Sequence, residues 1–259
     1  MMLRVGAILA VLVASTGCQR PEPEVVIYVS VDESLARSVL ADFSQRTGIT
    51  VRFVGDTEAT KTTGLARRLL RERSSPVADV FWSSEPFMTI DLADAGVLGV
   101  HHGRHADAWP ESWRDEEARW FAFSPRPRVI VYDPSRVDPA SVPESIESLA
   151  MNRELGVIAI ADPRFGTTGG HLAAISVMFS EARGDGAYQA WLDGIRDHGV
   201  DVLPGGNAAV VEHVAMGEAA LGVTDADDVH AGRRRGWELE MIVPSHGRHG
   251  GVVTPNTVA

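Results

Sequence analysis

Short β-branched runs alternate with segments of helical periodicity along the first part of the chain, and this alternation restricts the fold more than any other feature. The runs at 25–29, 49–54 and 78–82 are apolar and predict buried strands. Between them, apolar side chains recur at helical spacing in one segment that ends before Gly48 and in another that ends at Arg73. Strands that alternate with helices predict an α/β fold around a mostly parallel sheet.

The same alternation returns in the second half of the chain, which favours two lobes. Apolar runs at 128–132 and 219–223 predict further strands, and helical patterns lie between and after them. A chain of this length is sufficient for two lobes of ordinary size. The predicted boundaries are 24–122 plus 244–259 for lobe 1 and 123–243 for lobe 2.

The N-terminus has the features of an exported protein. A short apolar run at 5–14 follows a charged residue and precedes small residues. The run is shorter than the about 20 apolar residues that a bilayer span needs, and its order is typical of a secretory signal peptide, predicted over 1–17. The only cysteine, Cys18, stands directly after it and predicts lipidation as in bacterial lipoproteins, followed by a polar tether over 18–24. We therefore expect a periplasmic or extracytoplasmic protein with a lipid anchor; an ordinary signal peptide with an incidental cysteine is the alternative.

Composition excludes some partner classes. The net charge of −11 argues against nucleic acid, whose binders carry clustered positive charge, and against a polybasic membrane-binding surface. A single cysteine cannot form an internal disulfide, so the core must stabilise the fold. We expect a monomer that binds no nucleic acid and meets the membrane only through its lipid.

Polar clusters stand where the predicted strands end and helices begin. In open α/β sheets ligands bind at that edge, because helix N-termini and free backbone N–H groups meet there. Each cluster taken alone is better explained as a helix cap than as a ligand site, but their shared position predicts a ligand cleft. The predicted ligand-binding residues are Ser30, Asp32, Thr57, Glu58, Lys61, Ser83, Glu85, Arg164, Gly166, Thr167, Thr168, Asn207 and Asp225.

Two of these clusters have more specific interpretations. The Gly-Thr-Thr-Gly-Gly run at 166–170 predicts a backbone nest for an anion, with Arg164 supplying charge. The run lacks the Gly-Lys-Ser/Thr ending of a P-loop, which argues against ATP. Ser30 and Glu33 have the spacing of a capping box at a helix start.

The densest group of carboxylates is Asp225, Asp227 and Asp228. Hard cations prefer carboxylate oxygens, so this group is a candidate metal site. Capping of the next helix by Asp225, with the other two acids in its first turn, explains the pattern equally well. A metal-dependent hydrolase needs both a water-activating metal and a general base, and no motif supplies that pair. We therefore expect no enzyme.

Eight stretches carry a wider pattern: 26–30 (VIYVS), 47–51 (TGITV), 56–62 (DTEATKT), 78–83 (ADVFWS), 126–132 (RPRVIVY), 165–168 (FGTT), 217–228 (GEAALGVTDADD) and 255–259 (PNTVA). Together they resemble the periplasmic solute-binding proteins of ABC importers, within the ferric-iron-binding group of the type II fold. The resemblance implies a two-lobed α/β structure with a ligand cleft between the lobes, and it implies an ABC permease and its ATPase as partners. Members usually continue with further helices, so we expect a truncated C-terminus here.

The resemblance also implies where a metal would be held. Iron-binding members use two adjacent tyrosines, which fall at Asp225 and Ala226 of this chain. The histidine ligand of some members falls at Asp32, and the glutamate ligand falls at Ser84, next to Glu85. If iron is bound without the tyrosines, the predicted metal ligands are Asp32, Glu85 and Asp225, together with a bound anion.

The sequence thus predicts the extracytoplasmic solute-binding component of an ABC transporter. Ferric iron or an iron chelate is the favoured transported ligand, and no cofactor is firmly implied. An organic or phosphonate-like anion is the alternative solute, because residues 164–168 and Asn207 suit an anion. The less favoured alternatives are an exported hydrolase built on Asp225, Asp227 and Asp228 and a truncated chain that binds nothing.

Overall fold

The computed structural model describes residues 23–31, 33–56, 62–151 and 156–259. The predicted signal peptide, the tether up to residue 22 and the lipid-acceptor Cys18 lie outside the described residues. The predicted site residues Asp32, Thr57, Glu58 and Lys61 lie outside them as well. Within the described ranges, we find no helix with the length and apolar character of a membrane span.

The strands form one mixed sheet. They are β1 (Glu24–Val29), β2 (Thr50–Gly55), β3 (Val80–Ser83), β4 (Phe121–Tyr132), β5 (Ile158–Ala161), β6 (Val200–Leu203), β7 (Leu221–Asp225), β8 (Glu240–Ile242) and β9 (Val253–Val258). Their order is β2-β1-β3-β9-β4-β7-β5-β6, with β8 also paired to β4. β1 is parallel to β2 and β3, and β5 is parallel to β6 and β7, so the predicted α/β class is confirmed.

Helices connect these strands on both faces of the sheet. They are α1 (Glu33–Thr47), α2 (Thr63–Glu72), α3 (Phe87–Asp94), α4 (Arg104–Asp107), α5 (Ile146–Leu149), α6 (Gly166–Arg183), α7 (Ala187–His198), α8 (Gly206–Met216) and α9 (Ala226–Arg234). The helix ends predicted near Gly48 and Arg73 are confirmed. On α3, Thr89 points inward, with its hydroxyl 2.7 Å from that of Thr257 on β9, and the neighbouring Ile90 is 37% exposed.

β4 is much longer than its apolar run suggests. Residues 128–132 were the predicted strand, but β4 begins at Phe121. Its first residues pair with β9, and the register shifts between Phe123 and Arg126, where Ser124 has a positive φ of 49°. The polar bulge hid the first half of the strand from a hydrophobicity pattern. Through this bulge β4 passes from one half of the sheet to the other.

We call β2-β1-β3 and residues 121–123 of β4 the first half-sheet, and residues 128–132 of β4 with β5, β6, β7 and β8 the second half-sheet. Each half has its own apolar core. Val26, Tyr28 and Phe81 pack with α2 and α3 in the first. Ile130 and Leu221 pack with α5, α6 and α7 in the second. The residue boundaries of the two predicted lobes stay a prediction.

Candidate functional site

A cleft of about 110 Å³ lies between the two half-sheets, at the ends of their strands. Val31 and Ser84 line it from the first half-sheet, and Arg126 lines it from the bulge of β4. The second half-sheet contributes the first turns of α6, α8 and α9. The cleft is therefore at the sheet edge that the polar clusters predicted.

Three helix N-termini meet in this cleft. The residues at the starts of α6, α8 and α9 that line it include Thr168, Asn207 and Asp228. The N-cap residues of these helices are Phe165, Gly205 and Asp225. The side chains of Phe165 and Asp225 make no capping hydrogen bond, and Gly205 has no side chain to make one. Helix N-termini carry partial positive charge and unpaired N–H groups, so this wall suits an anion.

Two polar groups at the cleft lack a partner among the described residues. They are the hydroxyl of Thr168, a residue only 2% exposed, and the buried Nε of Arg126. A buried polar group without a hydrogen bond costs about 1–3 kcal/mol.

A buried ion pair lies beneath the cleft wall that the second half-sheet contributes. The guanidinium of Arg128, whose residue is fully buried on β4, donates to Oδ1 of Asp225 at 2.8 Å. The other carboxylate oxygen of Asp225 accepts from the hydroxyl of Thr167 at 2.8 Å and from the amide of Asn207 at 2.9 Å. Four elements of the fold thus share one hydrogen-bond network.

The network changes the interpretation of Asp225. Its residue holds the N-cap position of α9, but its side chain bonds Arg128 instead of capping the helix, so the prediction that its side chain caps is wrong. Asp227 and Asp228 do stand in the first turn of α9. Carboxylate oxygens of all three aspartates lie within 4.8 Å of one another, which keeps the group a candidate metal site.

The wall from the first half-sheet is held by hydroxyl groups. Oγ of Ser30 accepts from the backbone N–H of Ser84 and from the hydroxyl of Thr62, both at 3.0 Å. Ser30 therefore links the ends of β1 and β3, and its predicted capping role at the start of α1 stays a prediction. The hydroxyls of Thr62 and Ser84 lie 3.1 Å apart and complete the cluster.

Glu85 is buried beside this cluster and is 2% exposed. Its carboxylate accepts from the first amides of α3, those of Phe87 at 2.7 Å and Met88 at 3.1 Å. Burial raises the pKa of Glu85 to about 7, although these two amides act in the opposite direction. The carboxylate thus serves the start of α3, and its predicted role as a metal ligand stays a prediction.

One side chain touches both walls of the cleft. The guanidinium of Arg126 donates to the backbone carbonyl of Ser84 in the first wall. Its Nη1 lies 3.6 Å from a carboxylate oxygen of Asp227 in the second wall. Because Arg126 stands on the strand that crosses between the half-sheets, it is placed to respond to their relative position.

The structure brings some of the predicted ligand-binding residues to the cleft and leaves others aside. Those that line it are Gly166, Thr167, Thr168, Asn207 and Asp225. The described ones that do not line it are Ser30, Ser83, Glu85 and Arg164. The side chain of Arg164 is 77% exposed and pairs with Asp162, whose pKa it lowers to about 2. The run at 166–170, predicted to form a nest, makes up the start of α6, which begins at Gly166.

Sequence reasoning missed the two arginines of the site. Arg126 and Arg128 flank Pro127 at the head of a buried apolar strand, and only their positions in an otherwise apolar run marked them. A charge at such a position needs a buried partner, which was the available signal. Ser84 was passed over in the same way in favour of its neighbours.

Comparison with known proteins identifies the family of this chain. A family model described as Bacterial extracellular solute-binding protein matches residues 25–255. The Fe(3+)-binding periplasmic protein of Serratia marcescens is 28% identical over 201 residues, covering 77% of this chain and 56% of that protein. The chain therefore spans little more than half the length of this relative.

Solved structures show the same fold. Iron-bound HitA from Pseudomonas aeruginosa has a TM-score of 0.77 at 20% identity, covering 92% of this chain and 74% of that one. The periplasmic binding protein AfuA from Actinobacillus pleuropneumoniae, solved with fructose-6-phosphate, has a TM-score of 0.74 at 18% identity, covering 92% and 73%. The predicted two-lobed α/β fold is confirmed by these likenesses. With the family model matching nearly all of the described residues, the chain belongs to the bacterial extracellular solute-binding proteins.

Proposed function

We propose that this chain is the solute-binding component of an ABC importer and that it carries ferric iron together with a chelating anion. The observation behind this proposal is the composition of one cleft. Carboxylates of Asp227 and Asp228 stand next to helix N-termini and the unpartnered hydroxyl of Thr168. A cation and an anion therefore find complementary groups side by side.

The carboxylates account for the metal. Ferric iron is a hard cation that prefers oxygen ligands in an octahedral arrangement. Asp225, Asp227 and Asp228 offer oxygens within 4.8 Å of one another, but Asp225 already pairs with Arg128. Protein carboxylates alone leave such a site incomplete, and a polydentate anion supplies the remaining oxygens. The Serratia relative is named as an Fe(3+)-binding periplasmic protein, which supports iron as the metal.

The helix starts account for the anion. The first turns of α6 and α8 direct N–H groups toward the cleft, and Arg126 adds a guanidinium. These groups also favour the alternative of an organic anion without metal, which the sugar phosphate in the AfuA structure supports. The two solutes differ in whether Asp227 and Asp228 contribute to binding.

Capture involves closure of the two half-sheets over the solute, a common motion in binding proteins. Arg126 reports this motion because it contacts Ser84 and Asp227 on opposite walls. A periplasmic location agrees with the family, and lipidation of Cys18 keeps the receptor near its permease and ATPase. An enzymatic role is not proposed, because the family is one of solute-binding proteins.

Titration calorimetry tests the proposal with ferric citrate, iron-free citrate and inorganic phosphate. We expect saturable binding of ferric citrate, weakened at least about tenfold in the Asp227→Asn/Asp228→Asn double variant, which is about 1.4 kcal/mol. Asp193→Asn, which removes a surface carboxylate from α7, is the matched control and leaves affinity unchanged. Equal binding of citrate with and without iron, unaffected by the double variant, contradicts iron and favours the organic anion.

A further inference from the structure

Two buried histidines lie behind the ion pair of the cleft. His171 stands on α6, and His246 stands on the segment between β8 and β9; each is 1% exposed. Their Nε2 atoms are 2.8 Å apart, a hydrogen-bond distance. The binding site described above does not use either ring.

The surroundings of His246 determine which of its nitrogens carries the proton. Its Nδ1 lies 3.1 Å from the carbonyl oxygen of Pro244 and 3.2 Å from that of Gly250. Carbonyl oxygens only accept hydrogen bonds, so Nδ1 must be the donor. In the neutral ring Nε2 is then an acceptor.

The protonation of His171 follows from that of its partner. Its Nε2 faces an acceptor on His246, so Nε2 of His171 donates. Its Nδ1 is then the acceptor, and Nε of Arg128 donates to it at 3.3 Å. An arginine has no acceptor, so every bond in the series has one direction: Arg128 to His171, His171 to His246, and His246 to two backbone carbonyls.

This arrangement requires both rings to be neutral. A second proton on His246 would sit on Nε2 and face the Nε2–H of His171, and a second proton on His171 would sit on Nδ1 and face the Nε–H of Arg128. Burial and the charge of Arg128 lower the pKa of His171 to about 2 and lower that of His246 as well. Glu147 on α5 is the acid that acts against this effect at His246. The electrostatics of the surroundings therefore agree with the geometry.

This series of hydrogen bonds, which we call the relay, connects the two places where the chain crosses between the half-sheets. The backbone N–H of Arg128 on β4 donates to the carbonyl of Val252 at 2.8 Å, and His246 lies on the same segment, 243–252. That segment leads from β8 of the second half-sheet into β9, which pairs with β3 and with residues 121–127 of β4. The first turn of α6, the helix of His171, lines the cleft.

We propose that His171 and His246 are positioning residues, and that their one-directional hydrogen-bond relay holds the Arg128 guanidinium against Asp225 and ties it to segment 243–252. An apolar pair in the same space would leave the Nε–H of Arg128 buried without an acceptor, which accounts for polar rings in this place. The hydrogen bonds of the relay are inferred from geometry alone, whereas the expected effect on ligand affinity rests on the proposed function.

Nitrogen-15 NMR of histidine-labelled protein without ligand tests the relay directly. At pH 7 we expect the proton on Nε2 of His171 and on Nδ1 of His246. The signals of the two rings are assigned from variants in which one histidine at a time is replaced. A proton on Nε2 of His246, or a doubly protonated ring at either position, overturns the proposal. Because no ligand is present, this result does not depend on whether the chain binds iron.

Two conservative variants test the positioning role. His171→Asn keeps an acceptor near Nδ1 for Arg128, whereas His171→Gln keeps only a donor near Nε2 for His246. We expect the glutamine variant to bind ferric citrate about tenfold more weakly and the asparagine variant to stay closer to the parent protein. His105→Asn on exposed α4 is the control. Equal affinities for both variants contradict the positioning role, while absence of ferric citrate binding in the parent contradicts the proposed function alone.

Discussion

The two walls of the cleft are held by different kinds of interaction. The second half-sheet's wall rests on a buried ion pair, Arg128 with Asp225, and each charged group has further hydrogen-bond partners. The first half-sheet's wall rests on neutral hydroxyls around Ser30 and on a buried carboxyl, Glu85. A buried charge is costly when its partner is lost, whereas a neutral hydrogen bond contributes modestly. Loss of one charged group is therefore expected to destabilise the second wall strongly, whereas loss of one hydroxyl is expected to destabilise the first wall less.

Removing the charge of Asp225 is expected to have the largest effect. Asp225→Asn leaves the Arg128 guanidinium buried without a counter-charge, which costs about 3–5 kcal/mol of unfolding free energy. Urea denaturation measures the loss. Asp42→Asn breaks an exposed pair with Arg46 on α1 and is the control, with an expected cost below about 1 kcal/mol. A loss in the first variant as small as in the control shows that the two walls do not differ.

For the first wall, we expect the free energy of unfolding to depend on pH through Glu85. Its pKa rises from 4.5 to about 7 on folding, mainly through burial, so the folded protein keeps a proton that the unfolded chain releases. The associated stability is full below pH 4.5 and is lost as pH rises through 7, about 3 kcal/mol in total. Glu85→Gln keeps an acceptor for α3 and has no carboxyl to ionise.

Unfolding of the Glu85→Gln variant and the parent is therefore compared between pH 4 and pH 8. We expect the variant to gain stability relative to the parent by about 3 kcal/mol across this range. Glu116→Gln, on the surface, controls for the loss of one carboxylate. Parallel pH curves for the variant and the parent would show that Glu85 is ionised without penalty in the folded protein.

Truncation of Ser30 is expected to have the smallest effect. Ser30→Ala removes the acceptor for the N–H of Ser84, while the hydroxyl of Thr62 keeps its contact with Oγ of Ser84. The expected loss of unfolding free energy is about 1–2 kcal/mol. Ser75→Ala on the surface is the matched control in the same denaturation experiment. A loss as large as that of Asp225→Asn removes the distinction between the walls.

Some features of the fold were predictable because their causes are local. The apolar run of β1 and the alternation around it predicted the strand and the helix that follows. The Gly-rich run at 166–170 was predicted as a nest and not as a helix start because glycine has low helix propensity, and the N-terminal half of β4 was missed because its bulge is polar. The edge position of Asn207 and Asp225 was predictable, since it depends only on where a strand ends.

The sequence by itself determined the α/β order of elements and the sheet edge at which the cleft lies, because periodicity and turn chemistry act over a few neighbouring residues. Only the tertiary structure decided that Asp225 pairs with Arg128, 97 residues away, and that His171 meets His246, 75 residues away. Such pairs depend on how the half-sheets pack, and burial then turns polar side chains that look ordinary in the sequence into one connected network.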